Sequence, residues 1–433
     1  MEIKLKKYLN KFFNTEEKRR LLSNFLSLSV LQAANYILPL ITFPYLVRVL
    51  GVEKFGLLAF ATATISYFQI ITDYGFNLTA TRDISIHRQN KDKLTEIFSS
   101  VMTIKFILMI ISFVLLVILV SSLELFRKDA IIYYCTFGLV IGQVLFPVWF
   151  FQGIEEMKYI TYLNIGVRLF FTISVFVVIK ERGDFWIVPV LSVAGSIIGG
   201  IFALWVVRKN FHIRFKPQSL VSLIYYAKEG LSIFISSFGI NIYISSNTFI
   251  LGFITDNTIV GYYSIAEKII LAVRGIAGMI FQATYPYACT LEKNKEKLKF
   301  FFKNLFIPAG GLFFFLGILM FIFDDWIIRQ ISGKVIVEAS IVLRLLSMVP
   351  FIVLINIPAY QSLLIYNLKK RYTAILVSGA ILNITMNTIL CNFFQATGTA
   401  LSVLITEIFI TLALYFALYH YNRKIQNERF AHV

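Results

Sequence analysis

Two stripes of polar side chains interrupt an otherwise apolar chain. One reads Thr62, Gln69, Asp73, Asn77 and the other Glu267, Arg274, Gly278, Gln282. Spacings of four and seven residues put the members of each stripe close to one helix face. Polar and charged groups inside apolar segments are costly and normally face a cavity. The chemistry they offer is recognition rather than bond-making. A guanidinium binds phosphate oxygens through a bidentate fork. A carboxylate in a low-dielectric cavity can take up a proton near neutral pH. No catalytic set, cofactor site or metal set is assigned. Cys135, Cys289 and Cys391 lie in or beside apolar segments without metal-ligand spacing and read as small buried hydrophobes. The only Gly-Lys pair, Gly333-Lys334, is followed by Val335 and lacks the hydroxyl residue of a phosphate loop.

Further ionisable groups fall within apolar runs: Lys105, Arg168, Lys268, Arg344 and Glu407. Cations outnumber anions, which suits an anionic ligand. Each has a plainer reading. Lys105 and Arg344 can snorkel to an interface, and Glu267 can form a structural ion pair with Lys268 or Arg274. Arg168 lies near mid-span and is harder to explain that way. The first apolar run of each half adds Gln32 and Asn35, and Ser237, Asn241 and Ser245. Arg274 is the expected anion clamp. Its counterpart in the first stripe is the neutral Gln69, an asymmetry suited to a ligand charged at one end. Gly275 and Gly278 beside it leave room for a bulky headgroup, or serve close helix packing.

The elements that must hold these residues are membrane helices. The chain has 433 residues, is 58% hydrophobic and only 15% charged, and has a mean hydropathy of +0.75. A soluble domain could not bury that much apolar surface. A crossing helix needs about 20 apolar residues. Twelve such runs are counted: Leu21–Val49, Phe55–Phe76, Leu94–Val120, Ala130–Gln152, Tyr159–Ile179, Phe185–Val207, Leu223–Ile254, Ile259–Tyr287, Phe300–Phe323, Glu338–Tyr366, Tyr372–Phe394 and Thr397–Tyr421. The net charge of +17 sits in short loops rather than in a nucleic-acid patch. With the N-terminus inside, cytoplasmic segments hold about 27 Lys and Arg and outer loops about 8. That bias predicts an even number of spans with both termini in the cytoplasm. No cleavable signal peptide is visible, and the first apolar run is too long for one.

The chain also repeats itself. "QNKDKL" (Gln89–Leu94) returns as "KNKEKL" (Lys293–Leu298), and with Gly56 aligned on Gly261, "FGLLAFA" lies over "VGYYSIA". Under this alignment the two polar stripes coincide position by position. Two halves of six helices are expected, Met1–Asn210 and Phe211–Val433, as parallel repeats with a ligand site near their interface.

Four phrases carry a resemblance. "PLITFPYLVRVLGVEKFG" (Pro39–Gly56), "DYGFNLTATRDIS" (Asp73–Ser85), "FPVWFFQGIEEMKYIT" (Phe146–Thr161) and "LITEI" (Leu404–Ile408) resemble O-antigen repeat-unit flippases of the Wzx type, within the multidrug/oligosaccharidyl-lipid/polysaccharide exporter superfamily. The likeness covers most of the chain and is densest in the first half. It implies an all-α membrane fold of twelve helices in two lobes around a V-shaped, cation-rich cavity. It also implies the cargo, an undecaprenyl-pyrophosphate-linked oligosaccharide moved between leaflets of the bacterial inner membrane. A polysaccharide polymerase and a chain-length regulator are the implied protein partners. Pro44, Arg48, Gly51, Gly56, Arg82, Trp149, Gln152, Gly153 and Glu407 sit on the matching motifs, and most are expected to serve packing and hinging.

That cargo fits the residues. Each unpaired hydroxyl taken into hydrocarbon costs on the order of several kcal/mol, and a pyrophosphate far more. The expected substrate contacts are Arg274, Lys268, Arg168, Arg344, Lys105, Gln69, Gln282, Gln32 and Asn35. Glu267, Asp73 and Glu407, in that order, are expected to couple transport to a cation gradient. A drug/cation antiporter of the same superfamily would favour carboxylates and aromatics in the cavity. A membrane glycan polymerase or ligase would favour a long external loop, and the longest outer connection here is about Asp324–Val337.

Overall fold

The computed structural model describes residues 16–292 and 294–431. Side chains are described within that range except those of residues 16–29, 232, 235–245 and 424–431. Every described element is helical. In chain order they are α1 (Glu16–Asp73), α2 (Phe76–Ile86), α3 (Lys91–Ser122), α4 (Glu124–Arg127), α5 (Ala130–Leu145), α6 (Val148–Gly153), α7 (Met157–Val178), a 3-10 turn (Arg182–Trp186) and α8 (Ile187–Asn210). There follow α9 (Leu220–Ile254), α10 (Asn257–Thr290), α11 (Lys295–Ile322), α12 (Asp324–Ser332), α13 (Val337–Leu346), α14 (Val349–Ile365) and α15 (Lys369–Ala431).

All twelve apolar runs lie mostly along these helices, with a few residues at breaks and ends outside them. Among the described residues, eight helical stretches are long and apolar enough to cross a membrane. Two are far longer than one crossing. Val30–Ile86 and Lys369–Arg423 hold 57 and 55 residues, which at about 1.5 Å per residue more than doubles the roughly 30 Å of hydrocarbon. Each contains a backbone break. Gly51 takes φ 78°, ψ 167° inside α1, and Gln395 takes φ 50°, ψ −127° inside α15. Glycine adopts the first conformation without steric cost. The chain is a multi-pass membrane protein.

Two runs expected as single helices are divided. The run Ala130–Gln152 becomes α5 and α6, because Pro147 lacks an amide proton and Phe146 before it is extended, at φ −99°, ψ 95°. The run Glu338–Tyr366 becomes α13 and α14, with Pro350 in the first turn of α14. The connection Asp324–Val337, expected on the outer side, is partly helical, as α12.

The repeated charged phrase is a helix-capping device. Asn90 Oδ1 accepts from the Lys93 amide at 3.0 Å at the start of α3, and Asn294 Oδ1 accepts from the Lys297 amide at 3.0 Å at the start of α11. Asp92 and Glu296 lie in the two first turns, where a negative charge meets the positive end of the helix dipole. A second correspondence comes one helix pair later. Glu155 and Asn367 adopt φ 60° and 58°, and each ends its helix through the same long backbone bond: Glu156 N to Phe151 O at 2.9 Å, and Leu368 N to Leu363 O at 2.8 Å.

The chain packs as two compact units. The first comprises residues 1–42, 65–180 and 186–238. Its core gathers Phe98, Trp149, Phe150, Ile97 and Ile213. The second comprises residues 43–64, 181–185 and 239–433. One of its features is a ladder of parallel rings, with Phe281–Tyr360 centroids 4.9 Å apart and Tyr360–Tyr372 centroids 4.4 Å apart. Within this unit Arg48 caps α12. Its guanidinium donates to the Ile331 carbonyl at 3.1 Å and to that of Gln330, just before Gly333 turns the chain at φ 77°.

Candidate functional site

In the first unit, Asp73 ends α1 and lies against Lys105 of α3. Lys105 Nζ is 3.6 Å from Asp73 Oδ1, and the lysine is only 2% exposed. Asn77, on the first turn of α2, donates to the same Asp73 oxygen at 2.8 Å. Positive φ at Tyr74 and Gly75 breaks the helix between them. Gly75 admits no side chain, since a Cβ there would lie 2.9 Å from Ile233 Cβ. Gln69, a turn before Asp73, receives a 3.4 Å hydrogen bond on its carbonyl from Gln143. Two of the four residues expected to share a stripe, Asp73 and Asn77, thus form a small polar cluster with Lys105, and Gln69 joins it by no side-chain contact among those described. The fourth, Thr62, is exposed and returns its hydroxyl to the Leu58 carbonyl at 2.7 Å.

In the second unit, Arg274 of α10 pairs with Glu407 of α15, Nη2 to Oε1 at 2.9 Å, and the Glu407 side chain is 5% exposed. Glu267, two turns before Arg274, accepts from Thr248 Oγ1 at 3.1 Å. A neutral polar patch on α9 and α15 belongs to the same unit. Asn387 Nδ2 donates to Asn247 Oδ1 at 3.3 Å, and Asn383 Nδ2 to Thr406 Oγ1 at 3.4 Å. Both of these donors are fully buried, and their own Oδ1 atoms lack a partner among the described residues. Sequence reasoning passed over these asparagines. Their spacing of one helical turn inside the apolar run Tyr372–Phe394 was the available signal.

The other expected contacts are dispersed. Arg168 is half-buried midway along α7. Lys268 is exposed on α10, as is Gln282, and no neighbouring atom would meet a Cβ at Gly278. Gln32 is half-buried on α1, and Asn35 Oδ1 is a buried oxygen without a partner among the described residues. Arg344 stands apart. It is exposed on α13 and donates from Nε to Asp324 Oδ2 at 2.7 Å. Ser237, Asn241 and Ser245 lie outside the described side chains.

Two of the motif phrases pack on each other. Thr81 of α2 donates to the Trp149 carbonyl of α6 at 3.2 Å and lies 3.5 Å from Gln152 Oε1. Trp149 is fully buried, and a Cβ on Gly153 would lie 2.5 Å from Ile84 and 2.9 Å from the Thr81 carbonyl. Arg88 joins Glu155 at 2.8 Å. Arg82 is exposed, 3.9 Å from Asp83 and 4.0 Å from Glu229. Pro44 lies within α1, one turn before Arg48.

Residues 21–292 match the profile of the family described as "Polysaccharide biosynthesis protein". The chain belongs to the polysaccharide biosynthesis protein family. A relative in this vicinity, described as "Putative O-antigen transporter" of Escherichia coli (strain K12), is 33% identical over 399 residues, covering 91% of this chain and 95% of its own. Among solved structures, the lipid II flippase MurJ in its inward closed conformation aligns with a TM-score of 0.69 over 92% of this chain and 87% of that one, at 14% identity. An inward-facing multidrug resistance MATE transporter of the MOP superfamily aligns with a TM-score of 0.67 over 92% of this chain and 99% of that one, at 13% identity. This member of the polysaccharide biosynthesis protein family therefore has the two-lobed, all-helical fold of these transporters.

Proposed function

We propose that this protein is a flippase that carries undecaprenyl-pyrophosphate-linked O-antigen repeat units from the cytoplasmic to the periplasmic leaflet of the bacterial inner membrane. The observation that carries this reading is the 33% identity, over 91% of the chain, to a relative described as an O-antigen transporter. The physical chemistry agrees with it. Ionisable side chains placed inside spans, such as Lys105 and Arg274, are retained where they serve a polar cargo or its coupling. A hydrated, cation-lined path removes the desolvation barrier of sugar and pyrophosphate, while the polyprenyl tail stays in lipid.

In this reading each half, residues 1–210 and 211–433, forms a six-helix lobe. The twelve crossings follow when α1 is divided at Gly51 and α15 at Gln395. Both termini are cytoplasmic, and the lobes rock to alternate access. Glu267, Asp73 and Glu407 are the candidates for cation coupling, and the Asn383 and Asn387 oxygens offer neutral ligands in the unit that holds Glu267 and Glu407. A polymerase and a chain-length regulator act on the delivered units. The MATE-like fold supports a second reading, a drug/cation antiporter. Loss of the protein separates the two. Lipid-linked single repeat units trapped facing the cytoplasm are expected for the flippase. Unchanged repeat-unit export with altered drug sensitivity would favour the antiporter.

A further inference from the structure

Four charged groups set deep in spans already have partners. Lys105 has Asp73, and Arg274 has Glu407. Arg168 is different. It lies midway along α7, a stretch of 22 residues apolar enough to cross the membrane. It has neither an ion pair nor a hydrogen bond among the described residues.

Arg168 does not lie on the most exposed face of α7. Its exposed positions, Tyr162, Leu169, Ile173 and Val177, recur with helical spacing and mark the outward face. Thr161, Asn164, Arg168, Thr172 and the buried Val175 fall on the opposite face at spacings of three, four and seven residues. Val167, a neighbour in sequence, covers Gly199 of α8, where a Cβ would lie 2.4 Å from Val167 Cγ2. Arg168 thus shares the less exposed face of α7 with other polar side chains. Asn164 uses its amide nitrogen on the Ile160 carbonyl, 2.8 Å away, which fixes that side chain one turn below the guanidinium.

We infer that Arg168 is the anchor for the pyrophosphate headgroup, with Asn164 and Thr172 as flanking polar contacts. This inference rests on the flippase reading above. A guanidinium held inside a span without a counter-ion is costly. A doubly charged phosphate ester that presents oxygens in pairs relieves that cost through a bidentate contact. Arg274 would have to give up Glu407 to do the same, whereas Arg168 has no such pair to give up among the described residues.

The test is equilibrium binding of farnesyl pyrophosphate, inorganic pyrophosphate and farnesol to the purified full-length protein in micelles. Arg168→Gln is expected to weaken both pyrophosphates about tenfold or more, and to leave farnesol unchanged. Arg168→Lys should fall between, since the charge stays and the fork is lost. It decides the matter if Arg168→Gln does not fold. Equal binding of farnesyl pyrophosphate by the unaltered and altered proteins would overturn the assignment, as would an equal loss for farnesol. If the unaltered protein binds neither pyrophosphate, the flippase reading itself fails, and the anchor with it.

Discussion

Gly56 and Gly261, which coincide when the two halves of the sequence are aligned, meet each other in the folded chain. A Cβ on Gly56 would lie 2.6 Å from the Gly261 nitrogen and 1.8 Å from the Asn257 carbonyl oxygen. A Cβ on Gly261 would lie 2.3 Å from the Val52 carbonyl oxygen. The obstacles are backbone atoms of the opposing helix, so no side-chain movement relieves them. Small residues permit such close approach in membranes, where packing rather than water drives helix association.

Gly56→Ala and Gly261→Ala should therefore each destabilise the protein, by about 1–3 kcal/mol as overpacking typically does. Thermal unfolding of the purified variants measures this. Gly278→Ala, at a position with open space around it, serves as the comparison and should shift the midpoint little. Equal midpoints for all three would show that the glycine crossing contributes nothing.

The pair Arg274–Glu407 predicts a rescue. Removing one partner takes the 2.9 Å ion pair from the other inside a span, and breaking a buried pair costs about 3–5 kcal/mol. Arg274→Ala and Glu407→Ala should each lower the amount of folded protein in the membrane. The double variant should recover most of it. Membrane levels by immunoblot decide this, and a double variant worse than both singles would mean that the two charges act independently.

Asp73 holds Lys105 at 3.6 Å while Asn77 holds Asp73. Asp73→Asn should strand the buried lysine and lower export, and adding Lys105→Met should restore folding. Coupling is a separate property. If Asp73 and Glu267 carry it, Asp73→Asn or Glu267→Gln will remove the response of vesicle transport to an imposed pH gradient. Persistence of that response in both variants would exclude them as coupling sites.

The two asparagine caps predict a matched effect. Asn90→Ala and Asn294→Ala should each cost about 1 kcal/mol, the usual worth of an N-cap side chain. Asn→Asp at either position should cost less, since aspartate accepts the same amide. A urea or heat titration that finds no loss at either site would reduce the repeated phrase to coincidence.

Reporter fusions test the topology. A fusion after Asn427 should read as cytoplasmic, and one within residues 332–335, at the end of α12, as periplasmic. A cytoplasmic reading at the second site would overturn the helix count.

Composition and periodicity alone determined that this chain is a multi-pass helical membrane protein, because burying that much apolar surface has few other solutions. They also marked the internal repeat: the capping phrase and the paired glycines need only local spacing to be seen. Tertiary packing decided what the charges do. Asp73 meets Lys105 across a helix break, and Arg274 meets Glu407 from a helix far along the chain. Neither pairing follows from a stripe on one helix, because the partner depends on which helix packs alongside and at what height. The same limit explains the asparagines of α15, since Asn387 finds its partner on α9 and Asn383 on the far half of α15 beyond the break at Gln395. It also explains Arg168, which sequence placed near mid-span but only the burial pattern along α7 put on the less exposed, polar face.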